Sequence, residues 1–79
     1  MKTTDYIPIP CTEYSRYELA VMHRQTLRLV WTDNDLLHCE MVTAVDLLTR
    51  DSEEFLICLN FADEKTQIRL DKIKRIQLA

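Results

Sequence analysis

The sequence contains no glycine, and this absence limits both the chemistry and the fold of the chain. Glycine-rich loops hold phosphates in many nucleotide-binding proteins, so a phosphate-binding loop of that kind is excluded. Glycines also bend the strands of small barrels. If the sheet bends, other residues must take the positions that favour glycine, and we expect these to be Asn34, Ala44, Ser52 and Asn60.

Cysteine is scarce, and its three copies form no CxxC motif. Cys11, Cys39 and Cys58 are widely spaced, which fits neither a disulfide framework nor a zinc knuckle. Cys39 and Cys58 fall within apolar strand patterns, so we expect both to be buried, reduced thiols. His38 and Cys39 would point to opposite faces of a strand, so at most one could share a metal site with Cys58. We therefore predict that no metal is bound.

An excess of basic residues is also missing. The 79 residues include 13 acidic and 10 basic side chains, which gives a net charge of −3. Proteins that bind nucleic acid usually gather a basic excess into one patch, whereas an acidic surface suits a basic partner. The charge balance favours a protein partner with a basic surface and no direct contact with nucleic acid.

The chain lacks an apolar run of transmembrane length and has no signal-peptide pattern at its start. These absences predict a cytoplasmic protein that contacts no membrane. A chain of this length builds one core and leaves little room for a catalytic cleft. The one loose pairing of nucleophile and base, Cys11 with His23, places the two at opposite ends of a predicted helix. We predict that the protein is not an enzyme and binds no cofactor.

The first element present is an extended lead over residues 1–11, whose first five residues are polar and expected to be loose. Pro8 and Pro10 hold the residues before them in extended conformations, so the rest of the lead is stiff. A helix is predicted over residues 12–24, with Thr12 as its N-cap.

Within this helix, Tyr17, Ala20 and Val21 lie at helical spacing and are expected to face the body of the protein. Tyr14 lies one turn earlier on nearly the same side. Glu13 places negative charge in the first turn and is expected to point outward. Tyrosine offers a large contact area with a polar tip, so we assign Tyr17 to the core and Tyr14 to a protein interface.

After the helix the apolar period changes to two, which is typical of strands. A polar segment at residues 46–53 is predicted to be an exposed loop. Near the end, Ile73 follows Leu70 by three positions, which indicates a single 3₁₀ turn between two strands. The predicted strands cover residues 26–32, 37–42 with a possible extension to 45, 54–61, 66–71 and 74–78.

This order predicts a mainly β protein with one α-helix, in the form of an Sm-like five-stranded bent barrel preceded by an N-terminal helix. Residues 12–79 would form the single domain, including the helix. An OB-like barrel or another five-stranded roll is the structural alternative.

A basic stretch occupies the C-terminal third of the chain and could contact RNA. Acidic residues are interleaved with it and it contains no aromatic residue for base stacking, so a solvated face of mixed charge is the favoured interpretation. The stretch consists of Lys65, Arg69, Lys72, Lys74 and Arg75.

Several short segments, taken in their order and spacing, resemble the Rof family of Rho-binding antiterminators, also called YaeO. The resemblance spans residues 6–76. Its segments are Tyr6, Pro8-Ile9, Cys11, Tyr14, Glu18-Leu19-Ala20, His23, Asp46-Leu47, Thr49-Arg50 and Arg69-Leu70-Asp71-Lys72-Ile73.

The resemblance implies an Sm-like barrel that binds the N-terminal domain of the hexameric transcription termination factor Rho. Such a protein blocks the primary site where Rho captures RNA, and so lowers termination. The binding face carried over by position comprises Glu13, Tyr14, Ser15, Glu18, Arg50, Asp51 and Ser52.

The chain departs from the family's best-known member at two places. Thr12, Glu13 and Ser15 stand where that member has a run of aspartates, and Asp51 replaces a lysine. An Sm-like RNA-binding module is the alternative function. Sm-like proteins often form rings, but the added helix could cover the edge strand that a ring requires, so we expect a monomer.

Overall fold

The computed structural model describes residues 5–78, so residues 1–4 of the predicted lead lie outside the described residues, as does residue 79. The described chain forms one helix followed by five strands. The elements are α1 (Cys11–Met22), β1 (Thr26–Asp33), β2 (Leu36–Arg50), β3 (Glu53–Leu59), β4 (Lys65–Arg69), a 3₁₀ turn (Leu70–Lys72) and β5 (Ile73–Leu78).

All five strands belong to one antiparallel sheet with the order β4-β3-β2-β1-β5. The predicted fold class is therefore confirmed as mainly β with one helix before a five-stranded sheet. The 3₁₀ turn between β4 and β5 is also confirmed. These features are consistent with an Sm-like barrel.

Strand β2 is the longest element and bends the sheet. Its first half pairs with β1 and its second half with β3, and Thr43 pairs with both neighbours. The register with β3 shifts between Ala44 and Asp46, which leaves an extra residue in β2 and turns the strand. Ala44 is fully buried at this bulge, so the prediction that it lies at a bend is confirmed.

The first two hairpin turns each place two residues in the left-handed region that glycine favours. In the β1-β2 turn, Asn34 and Asp35 have φ of 49° and 64°, and in the β2-β3 turn Asp51 and Ser52 have φ of 53° and 65°. Two consecutive left-handed residues match the right-handed twist of the flanking strands. Asn34 and Ser52 thus take glycine-type positions, as predicted.

Asn60 acts differently from the prediction. In the β3-β4 turn the left-handed residue is Asp63, with φ of 58°. The side-chain Oδ1 of Asn60 accepts hydrogen bonds from the backbone N–H groups of Ala62 and Glu64, at 2.8 and 3.0 Å. Asn60 therefore supports the turn through its side chain rather than through its backbone conformation.

The predicted loop over residues 46–53 is wrong. Residues 46–50 continue β2, where Leu47 pairs with Leu56 and packs against the core. Only Asp51 and Ser52 leave the ladder. The polar residues that suggested a loop mark the end of a strand and a two-residue turn. The third strand also ends earlier than predicted, at Leu59, and leaves Phe61 83% exposed.

The expectation that Cys39 is buried is also wrong, because the first half of β2 turns its other face to the core. Residues paired directly across an antiparallel ladder share a face. Leu27 and Leu29 of β1 are fully buried, and they pair with Val42 and Glu40. The even-numbered residues of β2 therefore face inward there, and Cys39 is exposed. A period of two in the sequence shows that successive side chains of a strand point to opposite faces. It does not show which of the two faces packs against the core.

The helix starts one residue earlier than predicted, at Cys11, and Thr12 is not its cap. Pro10 holds the N-cap position without a side-chain hydrogen bond. The helix ends at Met22 rather than at residue 24. The N–H of Arg24 bonds to the carbonyl of Val21 at 3.1 Å, and Arg24 has φ of 48°, which stops the helix.

The core lies between α1 and the inner face of the sheet. Tyr17 and Ala20 are buried, and Tyr14 and Val21 are half-buried against them, as the helical spacing predicted. Cys58 is fully buried, also as predicted, and burial followed by the charge of Glu40 raises the pKa of its thiol to about 11. Cys11, at the start of α1, is exposed.

Candidate functional site

The outer side of α1 carries most of the predicted binding face. Glu13, Ser15 and Glu18 are exposed, and none of the three forms an ion pair or side-chain hydrogen bond with another described residue. Tyr14 is half-buried and packs against the core. The helix therefore offers two carboxylates and a serine to solvent, beside one tyrosine that is partly fixed.

These residues do not share one side of the helix. Glu13 lines an open groove of about 250 Å³ between α1 and β5, together with Arg16, Lys74 and Arg75. In that groove Arg16 donates a hydrogen bond to the backbone carbonyl of Ile76 at 3.4 Å. Glu13 therefore lies next to basic residues of β5.

Tyr14 and Glu18 lie on the other side of the helix, toward β3. Burial, followed by the charges of Glu54 and Glu18, raises the pKa of Tyr14. Glu54 pairs across the ladder with Thr49 of β2, next to the β2-β3 turn. The charge of a residue close to the predicted turn therefore acts on Tyr14.

The three predicted residues of the β2-β3 hairpin are exposed, but Arg50 is turned away from the helix. Its guanidinium lies 5.2 Å above the Phe55 ring and donates a hydrogen bond to Gln67 Oε1 at 3.2 Å. Glu54 and Phe55 are neighbours in β3, so they point to opposite faces of the sheet. Arg50 therefore lies on the face of the sheet opposite to the face that carries Glu54. Asp51 and Ser52 form the tip of the hairpin.

A second group of charged residues was missed by the sequence analysis. We call it the Arg69 cluster, and it consists of Tyr6, Asp5, Glu53, Arg69 and Asp71. Arg69 Nε and Nη2 donate to the two carboxylate oxygens of Asp71 at 2.6 and 2.7 Å, and Nη1 donates to Asp5 at 2.7 Å. Glu53 lies 3.7 Å from Nη1, and the Tyr6 ring lies 5.6 Å from the guanidinium carbon.

Within the cluster, the charge of Arg69 is paired with the carboxylates around it. Hydrogen bonds from Arg69 to Asp71 and Asp5 raise the pKa of the arginine. Burial alone would raise the pKa of Asp71, but hydrogen bonds from Arg69 and from the Ile7 N–H lower it below its usual range. The Arg69 side chain is 16% exposed, so it is not the solvated residue that the basic-stretch interpretation assumed.

The signal that could have identified this cluster is the alternation of charge in Arg69-Leu70-Asp71. A residue and its second neighbour point to the same side of a strand or extended turn. Arg69 and Asp71 therefore had the spacing of an ion pair. Nothing in the sequence linked them to Tyr6 or Asp5, because those residues lie 64 positions or so earlier and meet them only after folding.

The described residues were also compared with the arrangement that a metal site requires. Within residues 5–78 no three His, Cys, Asp or Glu side chains gather in a way that could hold a metal ion. His38 stacks on Trp31 with ring centroids 5.2 Å apart, which gives it a packing role. No helix within this range is long and apolar enough to span a bilayer.

Known proteins resemble the chain over most of its length. A family model described as "Modulator of Rho-dependent transcription termination (ROF)" matches residues 8–79. The "Protein rof" of Escherichia coli (strain K12) is 38% identical over 68 residues, which cover 86% of this chain and 76% of that protein. The "Protein rof" of Shigella flexneri matches with the same identity and coverage.

Proposed function

The chain belongs to the ROF family of modulators of Rho-dependent transcription termination, and we propose that it binds the N-terminal RNA-binding domain of Rho and blocks the primary RNA-binding site. The family is one of termination modulators and is not a known enzyme family. By this mechanism the protein competes with nascent RNA and lowers termination. It acts in the cytoplasm, as a monomer and without a cofactor.

The observation that carries the proposal is the exposed carboxylate of Glu18 beside the half-buried ring of Tyr14, on the side of α1 where the charge of Glu54 in β3 also acts. A surface that captures RNA is basic, so exposed carboxylates are attracted to it. A partly fixed tyrosine adds apolar contact area at a low entropic cost. Asp51 and Ser52 at the turn extend the same surface with hydrogen-bonding groups.

Direct RNA binding through the basic stretch has less support. Arg69 is paired with three carboxylates, and Lys74 and Arg75 lie in the groove that also contains Glu13. Phosphate contacts by the remaining lysines would be lost steeply as salt increases. The absence of measurable RNA affinity at low salt would dismiss this alternative.

The proposal can be tested by competition for the isolated Rho N-terminal domain. We expect the wild-type protein to displace a labelled RNA from that domain. Glu18→Lys should weaken binding to the domain by about tenfold, or about 1.4 kcal/mol, because it places a cation against a basic surface. Its thermal melt should not change, because Glu18 is exposed.

The matched control is Glu64→Lys, which makes the same charge change at an exposed residue of the β3-β4 turn and should leave binding unchanged. Glu13→Lys tests the groove side of the helix separately. Binding without displacement of RNA would refute the mechanism. Wild-type affinity in both helix variants would refute the assigned face. Tyr14→Ala is a poorer probe, because Tyr14 packs against the core and its loss would also destabilise the fold.

A further inference from the structure

Residues 5–10 connect the Arg69 cluster to the first turn of α1, and we propose that the cluster is a latch that positions this first turn, and with it Tyr14, for the partner of the protein. In this role Arg69 and Asp71 are positioning residues. That the partner is Rho rests on the proposed function. That the cluster positions the first turn of the helix rests on the geometry alone.

The anchor of the latch is a rigid pair on the body of the domain. Asp71 receives two hydrogen bonds from Arg69, at 2.6 and 2.7 Å, in the two-pronged geometry that fixes both side chains. The Asp71 side chain is only 5% exposed. Because it lies in the 3₁₀ turn between β4 and β5, its position is set by the sheet.

Three consecutive residues of the lead attach to this anchor. Asp5 accepts a hydrogen bond from Arg69 at 2.7 Å, and the backbone N–H of Ile7 donates to Asp71 Oδ2 at 3.1 Å. Between them, Tyr6 is buried, and its hydroxyl donates to Glu54 Oε1 at 2.9 Å. The lead is therefore bound by backbone and side-chain contacts to β3 and to the 3₁₀ turn.

The segment between the anchor and the helix is stiff enough to transmit this position. Pro8 and Pro10 fix their own φ angles and restrict Ile7 and Ile9 to extended conformations. Ile9 is partly buried against the core. Few backbone rotations remain between the N–H of Ile7 and the start of α1.

The start of α1 depends on what precedes it, because no side chain caps it. The carbonyl of Pro10 accepts hydrogen bonds from the N–H groups of Glu13 and Tyr14, both at 3.0 Å, and no N-cap side chain adds to them. A helix usually gains stability at this point from a capping Ser, Thr, Asp or Asn. Here the position of Pro10 orients the first turn, and Tyr14 is one turn further on.

Release of the latch should leave the second half of α1 in place. We expect this because Tyr17 and Ala20 are buried on the core. The first turn, however, would lose its fixed starting point, and helix ends without fixed partners fray. Tyr14 would then have to be ordered when the partner binds, which lowers affinity.

The test compares Asp71→Asn with Cys58→Ala. The first variant weakens the latch, while the second destabilises the core at a buried residue whose side chain bonds to the Thr66 carbonyl of β4 rather than to the lead. Both should lower the melting temperature. Asp5→Asn is a milder latch variant, at an exposed residue, that keeps the test usable if Asp71→Asn does not fold.

Three quantities are measured by NMR and titration on the full chain: the exchange rate of the Ile7 amide, the backbone order of residues 12–15, and the affinity for the Rho N-terminal domain. In the latch variants we expect Ile7 exchange to rise at least about tenfold, residues 12–15 to lose order, and the Kd to rise about fivefold. Cys58→Ala should keep wild-type order and affinity.

Faster Ile7 exchange with unchanged helix order would overturn the inference. So would an equal loss of affinity in Cys58→Ala, because stability rather than position would then explain the effect. If the wild-type protein does not bind the Rho domain, the proposed function fails, and Ile7 exchange and helix order still decide whether the latch exists.

Discussion

The helix and the Arg69 cluster contain the same kinds of residue and use them in opposite ways. On α1, the carboxylates of Glu13 and Glu18 are exposed and bond to no other described residue. In the cluster, the carboxylates of Asp5 and Asp71 are bonded to one arginine. The difference shows that the net negative charge of the chain is not all available to a partner, since part of it is neutralised where it holds the lead.

The tyrosines divide in the same way. Tyr6 is buried in the cluster and bonded to Glu54, whereas Tyr14 is half-buried at the edge of the exposed helix surface. A residue type that is common in interfaces therefore serves as structure in one place and as a candidate anchor in the other. Substitutions that act on one region and spare the other test this comparison.

The largest effect on stability is expected for Arg69→Met. It leaves the buried Asp71 carboxylate without its main partner, and the removal of one member of a buried pair costs several kcal/mol. Because Arg69 retains some exposure, we expect a loss of about 2 to 3 kcal/mol and a melting temperature lower by roughly 10 °C or more. Urea denaturation measures the free energy.

The matched control is Arg75→Met, at an exposed arginine of β5, which should change the free energy of unfolding by less than about 0.5 kcal/mol. Equal effects of the two substitutions would show that the Arg69 cluster contributes no more than a surface charge.

Acid should weaken the Arg69 cluster. The pKa of Asp71 is lowered from its usual 3.8, so its stabilising contribution is complete above that value and is lost as pH falls through the folded pKa. The difference in free energy of unfolding between wild type and Asp71→Asn should be constant from pH 7 to about pH 5 and should shrink below 3.8. A difference that shrinks already at neutral pH would contradict this assignment.

Tyr6→Phe should cost about 1 kcal/mol, because it removes one partly buried hydrogen bond and leaves the ring in place. Tyr14→Phe is the matched change on the helix and should cost only a few tenths of that value, since no described residue hydrogen-bonds to the Tyr14 hydroxyl. Chemical denaturation of both variants measures the difference. A larger loss for Tyr14→Phe would place the more important hydroxyl on the helix.

The smallest effect is expected for Thr12→Ala. A capping threonine usually contributes about 1 kcal/mol, but Thr12 makes no capping bond, so the loss should be below about 0.3 kcal/mol. Such a result would sharpen the comparison between the helix and the Arg69 cluster. It would show that the start of the helix depends on the lead rather than on the side chains of the helix. A loss near 1 kcal/mol would restore Thr12 as a cap.

Much of the fold was predictable from local pattern. The buried side of α1, the strand β1, the 3₁₀ turn and the left-handed residues at Asn34 and Ser52 all follow from spacing and turn chemistry. The sequence-based predictions were wrong where one pattern of apolar residues is compatible with two structures. Apolar residues occupy both faces of β2, so its inner face depended on the partner strand. The site residues of the helix and turn stay predictions, although their placement relative to Tyr14 and Glu54 is now known.

The sequence by itself determined the element order, the family and the excess of acidic residues, because period, turn residues and motif spacing are properties of neighbouring positions. Only the tertiary structure decided which of the charged residues are available to a partner. Asp5 and Arg69 meet across 64 positions, and Tyr6 meets Glu54 across 48. Pairing at that separation depends on how the sheet and the lead are folded together, which no local pattern encodes.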